Sequence, residues 1–255
     1  ILDAPVDVVE AAHPVALPRA QGALALEGVH CATDRAPVLT DVTLHIGAGE
    51  QVAVVGPSGI GKSTLADLLA RHADPAAGTV RLDGHDLRTL SLADVRRQVL
   101  VVEGEPYVFH ATLAENLRMA APEASDADLE HALDAVMLGA WRRALPQQLQ
   151  TVLGERGRAM STGERQRLAL ARAVLADPRV LVIDEATGAL DAATEEALFA
   201  SLASWLAART VVCITHRAAV AERFPRVVAL TGTSLVDVSS AHPSRAHGAQ
   251  PAGVA

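Results

Sequence analysis

The sequence predicts an α/β domain: a parallel sheet covered by helices on both faces, with a helical subdomain inserted in the middle. Three observations carry this. The runs VLVV (99–102), VLVI (180–183) and VVCIT (211–215) are short and fully apolar, the pattern of strands buried on both faces. Segments of helical period lie between strand-like runs, so the two types alternate. Residues 112 to about 176 hold three helical stretches and no strand-like run.

Taken in order, residues 1–22 are rich in Pro, Ala and Val without a firm period and read as a linker. LALEGV (24–29) and VLTDVTLHI (38–46) alternate as strands do. QVAVV (51–55) is a short apolar run, followed by a Gly-rich stretch and the helical STLADLLARH (63–72). GTVRLDGHDL (78–87) reads as a strand that turns at Asp83-Gly84. The helical block comprises TLAENLRMA, then SDADLEHALDAVMLGAWRRAL, then GERQRLALARAVLA. Ser125, with Asp128 three residues on, is a candidate N-cap. TEEALFASLASWLAA is a helix between VLVI and VVCIT, and VVALT (227–231) with SLVDV (234–238) completes the sheet. The tail 239–255 is small, polar and Pro-containing, and is expected to be disordered.

Half of the 255 residues are hydrophobic, enough for one sizeable core with a satellite subdomain. A net charge of −8 spread over both signs argues against a dedicated nucleic-acid binder. Cys31 and Cys213 are too few for a disulfide framework or zinc cluster, and Cys213 in its apolar run reads as a buried small hydrophobe. No apolar run approaches the roughly 20 residues needed to span a bilayer, and no signal peptide is visible. Starting at Ile1, the chain reads as part of something longer.

Of the 22 basic Lys and Arg residues, one is a lysine, Lys62. It lies in Gly56-Pro57-Ser58-Gly59-Ile60-Gly61-Lys62-Ser63-Thr64, which matches the phosphate-binding loop pattern between a strand and a helix. Glycines let backbone N–H groups curl inward onto phosphate oxygens, and the helix N-terminus adds partial positive charge. A compact ammonium on a flexible stem reaches the β- and γ-phosphates where a broad guanidinium fork does not fit. Ser63 supplies a hydroxyl to Mg²⁺. The expected ligands are therefore the phosphates of a nucleoside triphosphate and Mg²⁺, and the resemblance described below implies ATP.

VLVIDEATGALD (180–191) adds a buried strand ending in two carboxylates. Asp184 is placed to hold Mg²⁺ through its water shell, and Glu185 to orient or deprotonate an attacking water. His216 follows the next strand, so it reaches the same sheet edge and can hold the γ-phosphate and base in line.

With these motifs in this order, residues 23–238 resemble the nucleotide-binding domain of exporter-type ATP-binding cassette (ABC) transporters. The resemblance implies a P-loop NTPase, RecA-like core with an antiparallel β subdomain and the inserted helical subdomain at about 112–176. GPSGIGKST corresponds to the Walker A loop and VLVIDE to Walker B with its catalytic glutamate. Ser161-Thr162-Gly163-Glu164 stands in the place of the signature, GALD with Asp191 in the D-loop, and THR (215–217) in the H-loop. TVLGERG (151–157) is similar to the exporter X-loop, and ILDAPVDV to the linker after the last transmembrane helix. The resemblance implies an ATPase, a second nucleotide-binding domain as partner, a membrane domain upstream in the same polypeptide, and a place at the cytoplasmic face of the membrane.

Four residues at three sites depart from the family pattern. Gly104 stands where a glutamine reaches the metal and water, with Glu103 and Glu105 as the available substitutes. The signature has Thr162 and Glu164 in place of Gly and Gln. Thr33 stands where an aromatic stacks on adenine, leaving Arg35 to cover the base by a cation–π contact. Lys62, Ser63, Asp184, Glu185 and His216, which act on the chain's own ATP, are intact, whereas the signature offered to a partner is altered. This implies an asymmetric pair with one competent and one degenerate site. A homodimer that tolerates the changes, a regulatory domain with negligible hydrolysis and a soluble ABC ATPase are the competing readings. Trp141, Trp205 and Phe224 are expected in packing, Tyr107 and Phe109 either on the surface or in the core, and the Arg pairs 96–97 and 142–143 on solvated helix faces.

Overall fold

The computed structural model describes residues 8–17, 19–32, 36–154 and 157–239. In chain order the elements are β1 (Leu24–Ala32), β2 (Pro37–Ile46), β3 (Gln51–Val55), α1 (Lys62–Leu69), β4 (Ala77–Leu82), β5 (His85–Asp86), α2 (Leu92–Gln98) and β6 (Val99–Glu103). They continue with α3 (Leu113–Arg118), α4 (Asp126–Ala135), α5 (Gly139–Arg143), α6 (Thr162–Ala176), β7 (Val180–Asp184), α7 (Ala192–Ala207), β8 (Thr210–Thr215), α8 (Ala218–Ala221), β9 (Arg226–Thr231) and β10 (Ser234–Asp237).

Six strands form the main sheet in the order β10-β9-β3-β8-β7-β6, parallel except at β10. Alternation along the buried strands divides the core in two. Val180, Val182, Val212 and Ile214 face a layer that also holds Val52, Val54 and apolar residues of β1, β2, β4 and α1. Leu181, Ile183, Val211 and Cys213 face the opposite layer, built on α3, α4, α6 and α7. A sheet buried on both faces needs these uninterrupted β-branched runs, because neither side may carry a solvated residue. The parallel register aligns Glu103 with Asp184 and Asp184 with Ile214, so the C-terminal strand ends share one edge. Open α/β sheets bind ligands at that edge.

The second sheet is antiparallel, in the order β2-β1-β4-β5. The Asp83-Gly84 turn between β4 and β5 has both residues at positive φ, 50° and 81°, as a two-residue hairpin of primed type requires. Asp83 also accepts the backbone N–H groups of Gln21, Gly22 and Ala23. The described part of the N-terminal segment lies docked along the domain. Arg71, 1% exposed at the end of α1, donates to the Val9 and Leu90 carbonyls. Val15 pairs with Leu90, and the Ala20 N–H donates to the Gln98 side chain.

Between β6 and β7 the chain is helical in α3–α6, with irregular backbone at 144–154 and 157–161 apart from one 3-10 turn. Capping boxes begin α3 at Thr112, α4 at Ser125 and α6 at Ser161. The sequence expectation for 142–143 fails at Arg142. Its side chain is 5% exposed and pairs with Glu130 on α4, because α5 packs back onto α4 and turns that guanidinium inward. Arg143, Arg96 and Arg97 are exposed as expected. Trp141, Trp205 and Phe224 pack against the helical-side core, whereas Tyr107 and Phe109 are on the surface in an edge-to-face pair.

Candidate nucleotide and metal site

β3 delivers the chain to the Gly-rich loop at the ligand edge of the sheet. Gly61 is the N-cap of α1 in the left-handed region (φ 111°), where a Cβ would lie 2.4 Å from Val38 Cγ1. A side chain is excluded there by both backbone and space. Gly56 is held differently: a Cβ would meet the Leu230 carbonyl at 2.9 Å. The ammonium of Lys62, only 5% exposed, donates to the Gly56 and Pro57 carbonyls at 2.9 Å each. The lysine therefore folds back over its own loop and points at the space the loop encloses. Ser58, Gly59, Gly61, Lys62, Ser63, Thr64 and Glu185 line a cavity of about 360 Å³. Ile60 turns instead into the apolar layer beneath.

Asp184 ends β7 against the start of α1. Burial raises its pKa, and Glu185 adds to the rise, while a hydrogen bond from Ser63 and the charge of Lys62 oppose it. Glu185 follows with φ 52°, a strained position for a non-glycine residue, held by its N–H donating to the Ile214 carbonyl at 3.0 Å. Its Oε1 lies 3.7 Å from Lys62 Nζ and 3.2 Å from His216 Nδ1. One carboxylate oxygen is thus shared between a lysine from the phosphate loop and a histidine from the neighbouring strand end. Ser63 and Asp184 together offer hard oxygen donors to a cation next to the anion cradle, which suits Mg²⁺ shared with substrate phosphates. A cation there would relieve the buried charge of Asp184.

The signature residues do not line this cavity. Ser161 caps α6, its hydroxyl accepting from the Glu164 N–H (3.1 Å) while Glu164 Oε2 accepts from the Ser161 N–H (2.7 Å). Thr162 accepts from Arg165 at 3.0 Å and lines a separate groove of about 530 Å³ with Glu105 and Tyr107. At Gly163 a Cβ would meet Leu190 at 3.0 Å, so the start of α6 packs on the D-loop. Asp191 caps α7 by accepting from the Thr194 N–H and hydroxyl.

At Gly104 a Cβ would lie 3.2 Å from the Glu185 carbonyl, so the glycine packs its backbone against the Asp184-Glu185 segment. Glu105 lines the signature-side groove and Glu103 lines a neighbouring one with Tyr107, Phe109 and Arg172. Neither is among the residues lining the phosphate cavity. Thr33 and Arg35 lie outside the described residues, as do Glu155 and Arg156 of the X-loop, residues 1–7 and the tail 240–255. Two further residues beside the site, Glu195 and Gln166, are singled out by no motif. Arg217 pairs at 2.9 Å with Glu195, which is 2% exposed, joining the segment after His216 to α7. Gln166, 3% exposed, bridges Gly104 and Ala189. The available signal was polarity on the apolar side of a helix: Gln166 shares its spacing with Ala169, Leu170 and Ala173, and Glu195 with Leu198, Leu202 and Leu206.

A family model for ABC transporters matches residues 39–188. The beta-(1→2)glucan export ATP-binding/permease protein NdvA of Nitrobacter winogradskyi is 38% identical over 226 residues, covering 86% of this chain and 36% of that protein. The ATP-dependent lipid A-core flippase of Ralstonia nicotianae is 40% identical over 227 residues, covering 87% and 38%. Among solved structures, a bacterial Atm1-family ABC exporter with ATP bound superposes with a TM-score of 0.87 at 31% identity, covering 92% of this chain and 41% of that one. The chain thus spans well under half the length of these relatives.

Proposed function

From the premise that the chain belongs to the ABC transporter family, as an exporter-type nucleotide-binding ATPase domain, we propose that it powers transmembrane transport as one half of an asymmetric pair. One observation carries the reading. Lys62, Ser63 and Glu185 line one cavity, with Asp184 bonded to Ser63 and His216 to Glu185, while the signature residues do not line it. A nucleotide in that cavity lacks a cover from this chain, and the residues that would cover it belong on a second chain.

Within the cavity, Lys62 and the loop N–H groups hold the β- and γ-phosphates. Ser63 and Asp184 would hold Mg²⁺, which when bound would supply neutralisation of phosphate charge. Glu185 takes a proton from the attacking water, and His216 holds the carboxylate through their 3.2 Å contact. The degenerate half is the partner's nucleotide covered by this chain's Ser161-Thr162-Gly163-Glu164. Thr162 crowds a backbone approach, and Glu164 brings a negative charge toward phosphate. Closure of the pair on ATP drives a membrane domain at the cytoplasmic face. Relatives of twice this length and more support a membrane domain in the same polypeptide, and among the described residues no helix is long and apolar enough to cross a membrane.

The test is the double change Thr162→Gly with Glu164→Gln, which gives the family's Ser-Gly-Gly-Gln. Turnover by the chain on its own should rise about tenfold or more as two copies become able to cover each other. No change would contradict the asymmetric reading. A second reading, a domain that closes on ATP with negligible hydrolysis, is favoured by Gly104, which brings no side chain to the metal and water. It predicts that the restored signature still gives no turnover.

A further inference from the structure

We infer that Gln166 is a positioning residue for Glu185, bracing the two loops that flank it from the signature helix. Its carboxamide is buried in α6 and makes two bonds to two different loops. Nε2 donates to the Gly104 carbonyl at 2.9 Å, and Oε1 accepts from the Ala189 N–H at 3.0 Å. The partners fix the orientation of the amide, since a carbonyl needs the donor end and an N–H the acceptor end.

Both loops touch Glu185. Gly104 packs its backbone on the Glu185 carbonyl. Ala189 lies in the tight turn that begins there, where the Gly188 N–H donates to the Glu185 carbonyl at 3.1 Å. Glu185 itself sits at φ 52°, a conformation that persists only when its surroundings impose it. Gln166 joins the two loops of this frame to each other. It also ties the frame to the helix that presents Ser161 and Glu164, five and two residues earlier. Displacement of the signature helix would therefore be felt at the catalytic carboxylate. Because residue 104 is glycine, its main chain is what Gln166 grips, and the grip sets where that loop lies over the site.

The inference rests on the ATPase reading and is tested by two variants with two readouts. Gln166→Leu removes both bonds. Gln166→Glu keeps an acceptor for Ala189 and loses the donor to Gly104. In the full chain, paired with whatever domain supports turnover, each should lower kcat for Mg-ATP about tenfold. The KM should stay within about twofold, because neither bond touches nucleotide. Amide hydrogen exchange across 186–190 should accelerate about tenfold in Gln166→Leu and remain near wild type in Gln166→Glu. Unchanged kcat in both folded variants would overturn the inference, as would a loss of kcat that merely follows the unfolded fraction. A wild-type chain without turnover under any pairing counts against the ATPase reading alone. Exchange then decides, with no change in Gln166→Leu overturning the brace.

Discussion

Burial disfavours the ionised form of Asp184. Burial and the neighbouring Glu185 push its pKa up, and the Ser63 hydrogen bond and Lys62 offset this only in part. A carboxyl with a raised folded pKa favours the fold most when protonated, and that stability is lost as pH rises through the folded value. Asp184→Asn should therefore leave the metal-free chain as stable as wild type or raise Tm by a few degrees at neutral pH. The same change should remove Mg²⁺-dependent turnover, and calorimetry beside an ATPase assay checks both. Glu185→Gln should bind ATP as wild type does while turnover falls by about 10² or more, because an amide cannot accept the water proton. This polar core was legible because each part is local in sequence: a Gly-rich loop between strand and helix, two carboxylates at a strand end, a histidine at the next. Gln166 and the Arg217–Glu195 pair were not. They meet partners 62 and 22 residues away, and only the fold brings those together.

At the scale of elements, the start of α6 does two jobs that substitution separates. Ser161 and Glu164 satisfy each other's backbone N–H groups, as in any capping box. Ser161→Ala should cost about 1 kcal/mol of stability. Glu164→Gln should cost less, since a neutral amide oxygen still caps, yet it removes the charge that the proposed pairing would bring toward the partner's phosphates. Denaturant unfolding of the two variants checks the order. The edge strand β10 makes a separate prediction. Hydrogen bonds from the Ser239 side chain and backbone, and from Arg226, hold Asp237 down at about 2. That support is complete above the unfolded carboxyl value near 3.9 and is lost as pH falls through the folded one. Amides of β10 paired with β9 should lose exchange protection between about pH 4 and 2, before those of β3 and β8. The buried strands were readable from their unbroken apolar runs. The inward turn of Arg142 was not, because α5 is short and its partner Glu130 lies on another helix.

For the whole molecule, sequence order alone places two layers on one sheet. Alternate residues of β7 and β8 feed a layer with α1 and the antiparallel sheet, and a layer with the inserted helices. The phosphate loop belongs to the first and the signature to the second. They line different spaces on the same chain, so in the asymmetric pair proposed above a second chain completes the reaction. The most direct measurement is Mg-ATP turnover over a wide range of chain concentrations, with Lys62→Ala as the blank. ATP should bind at every concentration while turnover per chain stays flat and low, and turnover should appear when a domain with an intact Ser-Gly-Gly-Gln signature is added. Turnover by this chain alone that rises more steeply than linearly with its concentration would contradict the account, since two copies would then complete each other's sites.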